Sequence, residues 1–165
     1  MSASFDEFVP ADYAPRAKMD GIVLSDALVR AAESAKERGV SLVVFASLTC
    51  PDCAAVLPYV GLLAKLGMKV ELGEKDAEAE EFLQRRLGTG RVPTVLAKDA
   101  AGNWMDGVLI ERPLAVHMAA AKAESKRDAA VAIGRFRSGG AGADIEDDLI
   151  CVLEGKKREI LPFLR

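Results

Sequence analysis

Residues 41–58 read SLVVFASLTCPDCAAVLP, an apolar run rich in β-branched residues followed at once by two cysteines that flank Pro51-Asp52. Leu42 to Ala46 carry no polar side chain, the pattern of a strand covered on both faces. If a helix begins at Cys50, Pro51 takes its first position, where the missing N–H costs nothing. Ala54, Leu57, Leu63 and Leu66 are then among its buried residues, and it ends before Gly67. Pro58 falls inside this helix and is expected to kink it. The stretch reads strand, turn, helix, with the cysteines at the turn.

Upstream, Ser25 is placed to cap a helix over DALVRAAESAKER that stops at Gly39, with Leu24, Leu28, Ala31, Ala32 and Ala35 on its apolar side. Residues 1–22 hold two prolines, several charges and no clear period, and read as an irregular lead-in. Downstream, Met68 to Leu72 alternates apolar and charged residues, so this strand has one wet face. Asp76 can cap a helix with Glu78 and Glu80 in its first turns and Phe82, Leu83 and Leu87 inside; Gly88-Thr89-Gly90 ends it. Thr94 to Lys98 is a strand, residues 99–103 signal a turn, and Trp104 to Ile110 can return as its hairpin partner. Pro113 opens a long Ala-rich helix reaching Phe136, with Gly134 the point where it can break. Residues 138–142 form a Gly-rich joint, and a last helical segment is expected from about Asp144 to the C-terminus. Right-handed crossover makes the first two strands parallel neighbours, and the hairpin completes the sheet. The fold class is α/β: a mixed sheet of about four strands flanked by helices.

Half of the 165 residues are hydrophobic, enough for a sizeable core without disulfide staples. The formal charge of −3 argues against a general binder of nucleic acid or anionic membrane. No apolar run approaches a membrane span, and the N-terminus lacks the basic-then-apolar pattern of a secretory signal. Three cysteines do not make a disulfide framework. The expected compartment is the cytoplasm, where an exposed dithiol is more often catalytic or metal-bound than structural. A zinc site needs more ligands than Cys50 and Cys53, and the remaining Cys151 and His117 form no second knuckle. Cysteine is a common buried residue, but two inert core cysteines rarely land at this spacing at a strand-to-helix turn. Redox chemistry has a specific warrant: unpaired N–H groups and the helix dipole stabilise a thiolate at Cys50, while Cys53 lies one turn on and deeper. That asymmetry gives a nucleophile and a resolving thiol.

On these residues the chain resembles the thioredoxin family. The likeness rests on the strand LVVFA, the motif Cys50-Pro51-Asp52-Cys53, Pro58 five residues after the second cysteine, and Val92-Pro93-Thr94 about forty residues later. Arg112-Pro113 after the last strand is similar to a bacterial thioredoxin-like subgroup. The resemblance implies a thioredoxin-like domain over 23–125, followed by a helical C-terminal extension over 126–165. It implies a thiol–disulfide oxidoreductase, a cytosolic disulfide reductase with a redox-active Cys50–Cys53 disulfide and no bound cofactor. Cys50 and Cys53 would be catalytic, and Pro51 and Asp52 would tune them. Thr49, Val92 and a cis Pro93 would contact substrate, the Val92 backbone pairing with an extended segment. Its partners would be a protein or small-molecule disulfide and a dithiol donor such as a thioredoxin-reductase-like flavoprotein. The rival is an interaction module of the same fold whose binding does not depend on redox turnover. Two positions depart from the family: Thr49 stands where Trp is usual, and Val44 where a buried Asp assists proton transfer.

Asp52 raises its own question. A carboxylate roughly 6 Å from the Cys50 sulfur, at an effective dielectric of about 40, opposes the thiolate by about 1 kcal/mol; pointing into solvent, it does little. Cys151, among apolar neighbours in LICVLEG, reads as a buried small hydrophobe, or more sharply as a third redox thiol. His117 reads as a surface or interfacial histidine, and Trp104 as packing. Arg135-Phe136-Arg137 and Lys156-Lys157-Arg158 read as solvated helix ends.

Overall fold

The structure, a computed structural model, describes residues 2–164. Its sheet has the order β2-β1-β3-β4, formed by β1 (Ser41–Ala46), β2 (Val70–Glu74), β3 (Thr94–Lys98) and β4 (Leu109–Ile110). β1 runs parallel to β2 and antiparallel to β3, and β4 is antiparallel to β3. Among the described residues seven α-helices surround the sheet: α1 (Phe5–Phe8), α2 (Asp26–Glu37), α3 (Pro51–Lys65), α4 (Ala77–Leu87), α5 (Leu114–Lys122), α6 (Lys126–Arg137) and α7 (Gly142–Glu154). The mixed four-stranded sheet with flanking helices is the architecture expected from the sequence.

The caps are where the side chains put them. Ser25 Oγ accepts the Leu28 N–H, and Asp76 Oδ1 accepts the Ala79 N–H. Gly88 ends α4 in the left-handed conformation. α3 runs through Pro58 without interruption and is apolar nearly all round, as a central buried helix must be.

β1 departs from expectation. Leu42, Val44 and Ala46 are buried in one core with α2, α3 and α7, but Val43 and Phe45 on the other face are only half-buried. That face meets α4 through Phe82, 5.7 Å from the Phe45 ring, with Trp104 stacked 5.2 Å beyond, and this single aromatic row does not close it. Trp104 therefore packs, as read.

The lead-in is not irregular. A capping box between Ser4 and Glu7 starts α1, Ala3 bridges to Leu72, and Ala14–Gly21 forms a 3-10 helix. Phe5, Val9 and Met19 are buried, and Gly61 of α3 admits them: a Cβ there would lie 2.5 Å from the Phe5 ring. Short segments carry too few residues to show a period, so only tertiary packing reveals them.

β2 lies two residues later than expected, because the parallel register sets Leu42 against Val70. The hairpin's second strand shrinks to Leu109–Ile110 beyond a single Lys98–Trp104 bridge. The chain leaves the sheet there to lie on α7, where a Cβ at Gly107 would stand 2.3 Å from the Cys151 carbonyl.

The Ala-rich helix breaks at Ala123–Ser125 and not at Gly134: Ala123 is extended, and Ser125 Oγ caps α6 by accepting the Asp128 N–H. The last helix stops at Glu154, with a 3-10 turn over Leu161–Phe163; Arg165, at the expected C-terminal end, lies outside the described residues. α7 packs along α2 and reaches β3, so the C-terminal segment contributes Ile145, Leu149, Val152 and Leu153 to the main core.

Candidate active site at the head of helix α3

β1 ends at Ala46, and a tight turn returns the Cys50 N–H to the Ser47 carbonyl at 3.2 Å. Cys50 is the N-cap of α3, with extended backbone, and its sulfur accepts the Cys53 N–H at 3.4 Å. A thiolate at this position takes the place of the usual capping oxygen. Pro51 occupies the first helical position, exposed. Cys50 is half-buried and Cys53 wholly buried, its sulfur accepting the Ser47 N–H at 3.4 Å. All three cysteines are free thiols.

The environment drives the two thiols apart. Cys50 is lowered to about 6, chiefly by the Cys53 thiol donating to it, with the N–H groups of Cys53 and Asp52 adding to the effect against the cost of burial and the charge of the Asp52 carboxylate. Cys53 is pushed far up by the same hydrogen bond and by desolvation. One sulfur is charged and reachable; the other holds its proton inside.

The Val92-Pro93 bond is cis, and the Val92 carbonyl lies 3.8 Å from the Cys50 sulfur, which donates to it only in the protonated thiol form. Thr49 is exposed at the rim, its hydroxyl 3.1 Å from Ser47 Oγ. The structure thus brings Thr49, Cys50, Val92 and Pro93 to one place. Val44 is fully buried in the apolar core, so β1 supplies no acid beneath the pair.

Asp52 does not point into solvent. It is buried, and both oxygens are taken: Arg137 Nε lies 2.7 Å from Oδ1, and Arg112 Nη2 lies 3.2 Å from Oδ2. Arg112 also pairs with Glu111 at 3.0 Å, and Glu111 with Arg91 at 3.0 Å. Glu111 has φ +66, an uncommon conformation for a residue with a side chain, and its N–H reaches the Pro93 carbonyl. The arginine network is therefore tied to the Pro93 loop by backbone as well as side chain.

Several of these residues were not found from sequence. From sequence, Arg112 marks only the place after the last strand. Arg137 was read as part of a solvated helix end, yet Phe136 beside it is fully buried and fixes the end of α6 on the core. No local signal marks Arg137, because its partner lies 85 residues earlier. Tyr13, from the lead-in, packs against the same core, and its buried hydroxyl has no hydrogen-bond partner among the described residues. Burial, then the charges of Cys53 and Cys50, raise its pKa.

The remaining candidates lie elsewhere. His117 is buried, not at the surface: Nε2–H donates to the Ile110 carbonyl at 2.7 Å, and desolvation lowers its pKa. Arg158 is likewise not a solvated end, since it pairs with buried Asp148. Cys151 is only half-buried on α7. Among the described residues no three His, Cys, Asp or Glu side chains form a group able to hold a metal ion, and no helix is long and apolar enough to cross a membrane.

A four-stranded mixed sheet with a Cys-Pro-Asp-Cys turn at a helix N-terminus, faced by a cis-proline, defines a thioredoxin-like protein. The family model described as Thioredoxin matches residues 4–126, and the chain belongs to that family. No curated protein matches it. Among solved structures it is similar to a protein of unknown function from Pseudomonas aeruginosa, PA1234, at 24% identity and a TM-score of 0.71, covering 94% of this chain and 93% of that one. It is also similar to an HIV epitope-scaffold, at 24% identity and a TM-score of 0.69, with 94% of each chain covered. At this identity both support the fold alone.

Proposed function

We propose that the protein is a thiol–disulfide oxidoreductase that reduces disulfides with the Cys50–Cys53 pair. The observation that carries this reading is the pairing of a half-exposed, N-capping Cys50 sulfur with a fully buried Cys53 one turn below it. The Cys50 thiolate attacks one sulfur of a substrate disulfide; that S–S bond breaks, a Cys50–substrate disulfide forms, and the other half leaves as a thiolate that takes a proton. Cys53 gives up its proton and attacks the Cys50 sulfur, closing the Cys50–Cys53 disulfide and releasing the second substrate thiol. Two electrons pass to substrate, with one proton from Cys53 and one from solvent. A dithiol donor of the thioredoxin-reductase class, or another dithiol protein, restores the pair, in a compartment reducing enough to keep it turning over. Thr49 and the Val92 carbonyl form the rim that an extended disulfide-bearing segment meets.

Trapping tests the reading. Cys53→Ser should accumulate a mixed disulfide with a model disulfide, and Cys50→Ser should accumulate none. Alkylation of Cys50 should rise with pH through about 6 and level off near neutrality, because only the thiolate reacts. Equal trapping by both variants, or a Cys50 that reacts only above pH 8, overturns it.

A further inference from the structure

We propose that Arg137, supplied by the C-terminal segment, is a positioning residue for the dithiol site. Together with Arg112 it holds the Asp52 carboxylate and offsets part of its opposition to the thiolate beside it. This rests on the dithiol reading above.

Asp52 occupies the first turn of α3, next to the Cys50 sulfur that caps it. An unpaired carboxylate there works against a neighbouring thiolate. Arg137 approaches it in a fork, Nε at 2.7 Å from one oxygen and Nη2 at 3.5 Å from the other, and Arg112 closes on the second oxygen. Fork geometry of this kind fixes a carboxylate as a lysine does not. With Glu111 and Arg91 included, the ion-pair network around Asp52 joins three guanidiniums and two carboxylates. Asp52 first, and the Cys50 thiolate after it, hold Arg137 in its charged form. Cys53 on α3 and Tyr13 from the N-terminal segment complete the titratable groups around Cys50. Arg137 keeps its side chain 42% exposed, so its removal leaves no buried cavity.

A purely mechanical clasp of α6 on α3 predicts changed stability without changed ionisation. The two are separated by following thiolate absorbance against pH at low salt, with the Cys50→Ser protein as blank and thermal unfolding as a check on the fold. Arg137→Gln should raise the Cys50 midpoint enough to cut the thiolate fraction below it roughly threefold to tenfold. Asp52→Asn should lower the midpoint, and the double variant should lie between the two. Arg137→Lys keeps the charge and should recover part of the shift, which keeps the test decisive if Arg137→Gln folds poorly. High salt should shrink every shift. An unchanged midpoint in folded Arg137→Gln, or a rise in Asp52→Asn, overturns the proposal. The titration reads Cys50 ionisation whether or not the protein reduces disulfides, so failed trapping and a failed Arg137 effect are separate results.

Discussion

Two buried aspartates lie where the C-terminal segment meets the rest of the chain, and the two contacts differ in kind. Asp52 belongs to α3 and receives Arg137 from α6, at a site where a reactive sulfur is half-open to solvent. Asp148 belongs to α7 and pairs with Arg158 ten residues on, while its other oxygen accepts the Leu114 N–H at the start of α5. Asp148 makes no hydrogen bond or ion pair with the dithiol; it supplies the cap that Pro113 cannot give α5. Burial raises its pKa, with the Leu114 N–H and Arg158 pulling the other way. The same pair of residue types thus makes a structural fastening in one place and an electrostatic surrounding for a thiol in the other. What separates them is the neighbour, not the bond.

The largest effect should come from severing the fastening. Asp148→Ala leaves Arg158 and the Leu114 N–H without their buried acceptor and should cost about 3–5 kcal/mol in denaturant unfolding. Cys50 alkylation should keep its pH profile. Truncating Asp52 should cost less, about 1–2 kcal/mol, since the more exposed Arg137 recovers water. If Asp148→Ala moves the thiol profile as far as Asp52→Asn does, the distinction between the two sites collapses.

A middle-sized effect belongs to the surface on which α7 rests. Gly107→Ala would place a Cβ 2.3 Å from the Cys151 carbonyl and 2.8 Å from the Val152 Cα, both backbone atoms with little room to yield. The expected loss is about 1–3 kcal/mol, again with Cys50 reactivity intact. A fully stable variant would mean that α7 is held loosely there, and that the Asp148 side is less of a fastening than argued.

The smallest effect is a pH dependence. Burial lowers His117, so the folded state resists a proton that the unfolded chain accepts near its ordinary value of about 6.5. Stability should therefore fall as pH drops through that value, and His117→Gln should flatten the profile. Asp148 works in the opposite sense: raised by burial, it lends stability at low pH that is lost as pH climbs past its folded-state value. Identical pH profiles of stability for wild type and His117→Gln between pH 5.5 and 7.5 would contradict the neutral, buried His117.

The strand, the turn and the head of α3 were legible in residues 41–58 because each depends on near neighbours. Pro51 and Cys50 need only the helix they begin, and Ser25 and Asp76 only the N–H groups three residues on. The place of Val92-Pro93 was readable only through resemblance to a family, since a proline in a loop has many uses. What misled was also local: a basic cluster such as Arg135-Phe136-Arg137 looks solvated when its partner is 85 residues away. Asp148-Arg158 and His117 with the Ile110 carbonyl were hidden by packing for the same reason, though only ten and seven residues separate them.

By itself, then, the sequence determined a mixed α/β sheet, its helix caps, and a dithiol at a helix N-terminus, because period, propensity and capping act within a few residues. Which charges surround that dithiol was decided only by tertiary structure. Burial removes the water that would otherwise screen Asp52, and removing it requires α3, the Arg112 loop and α6 to be assembled together.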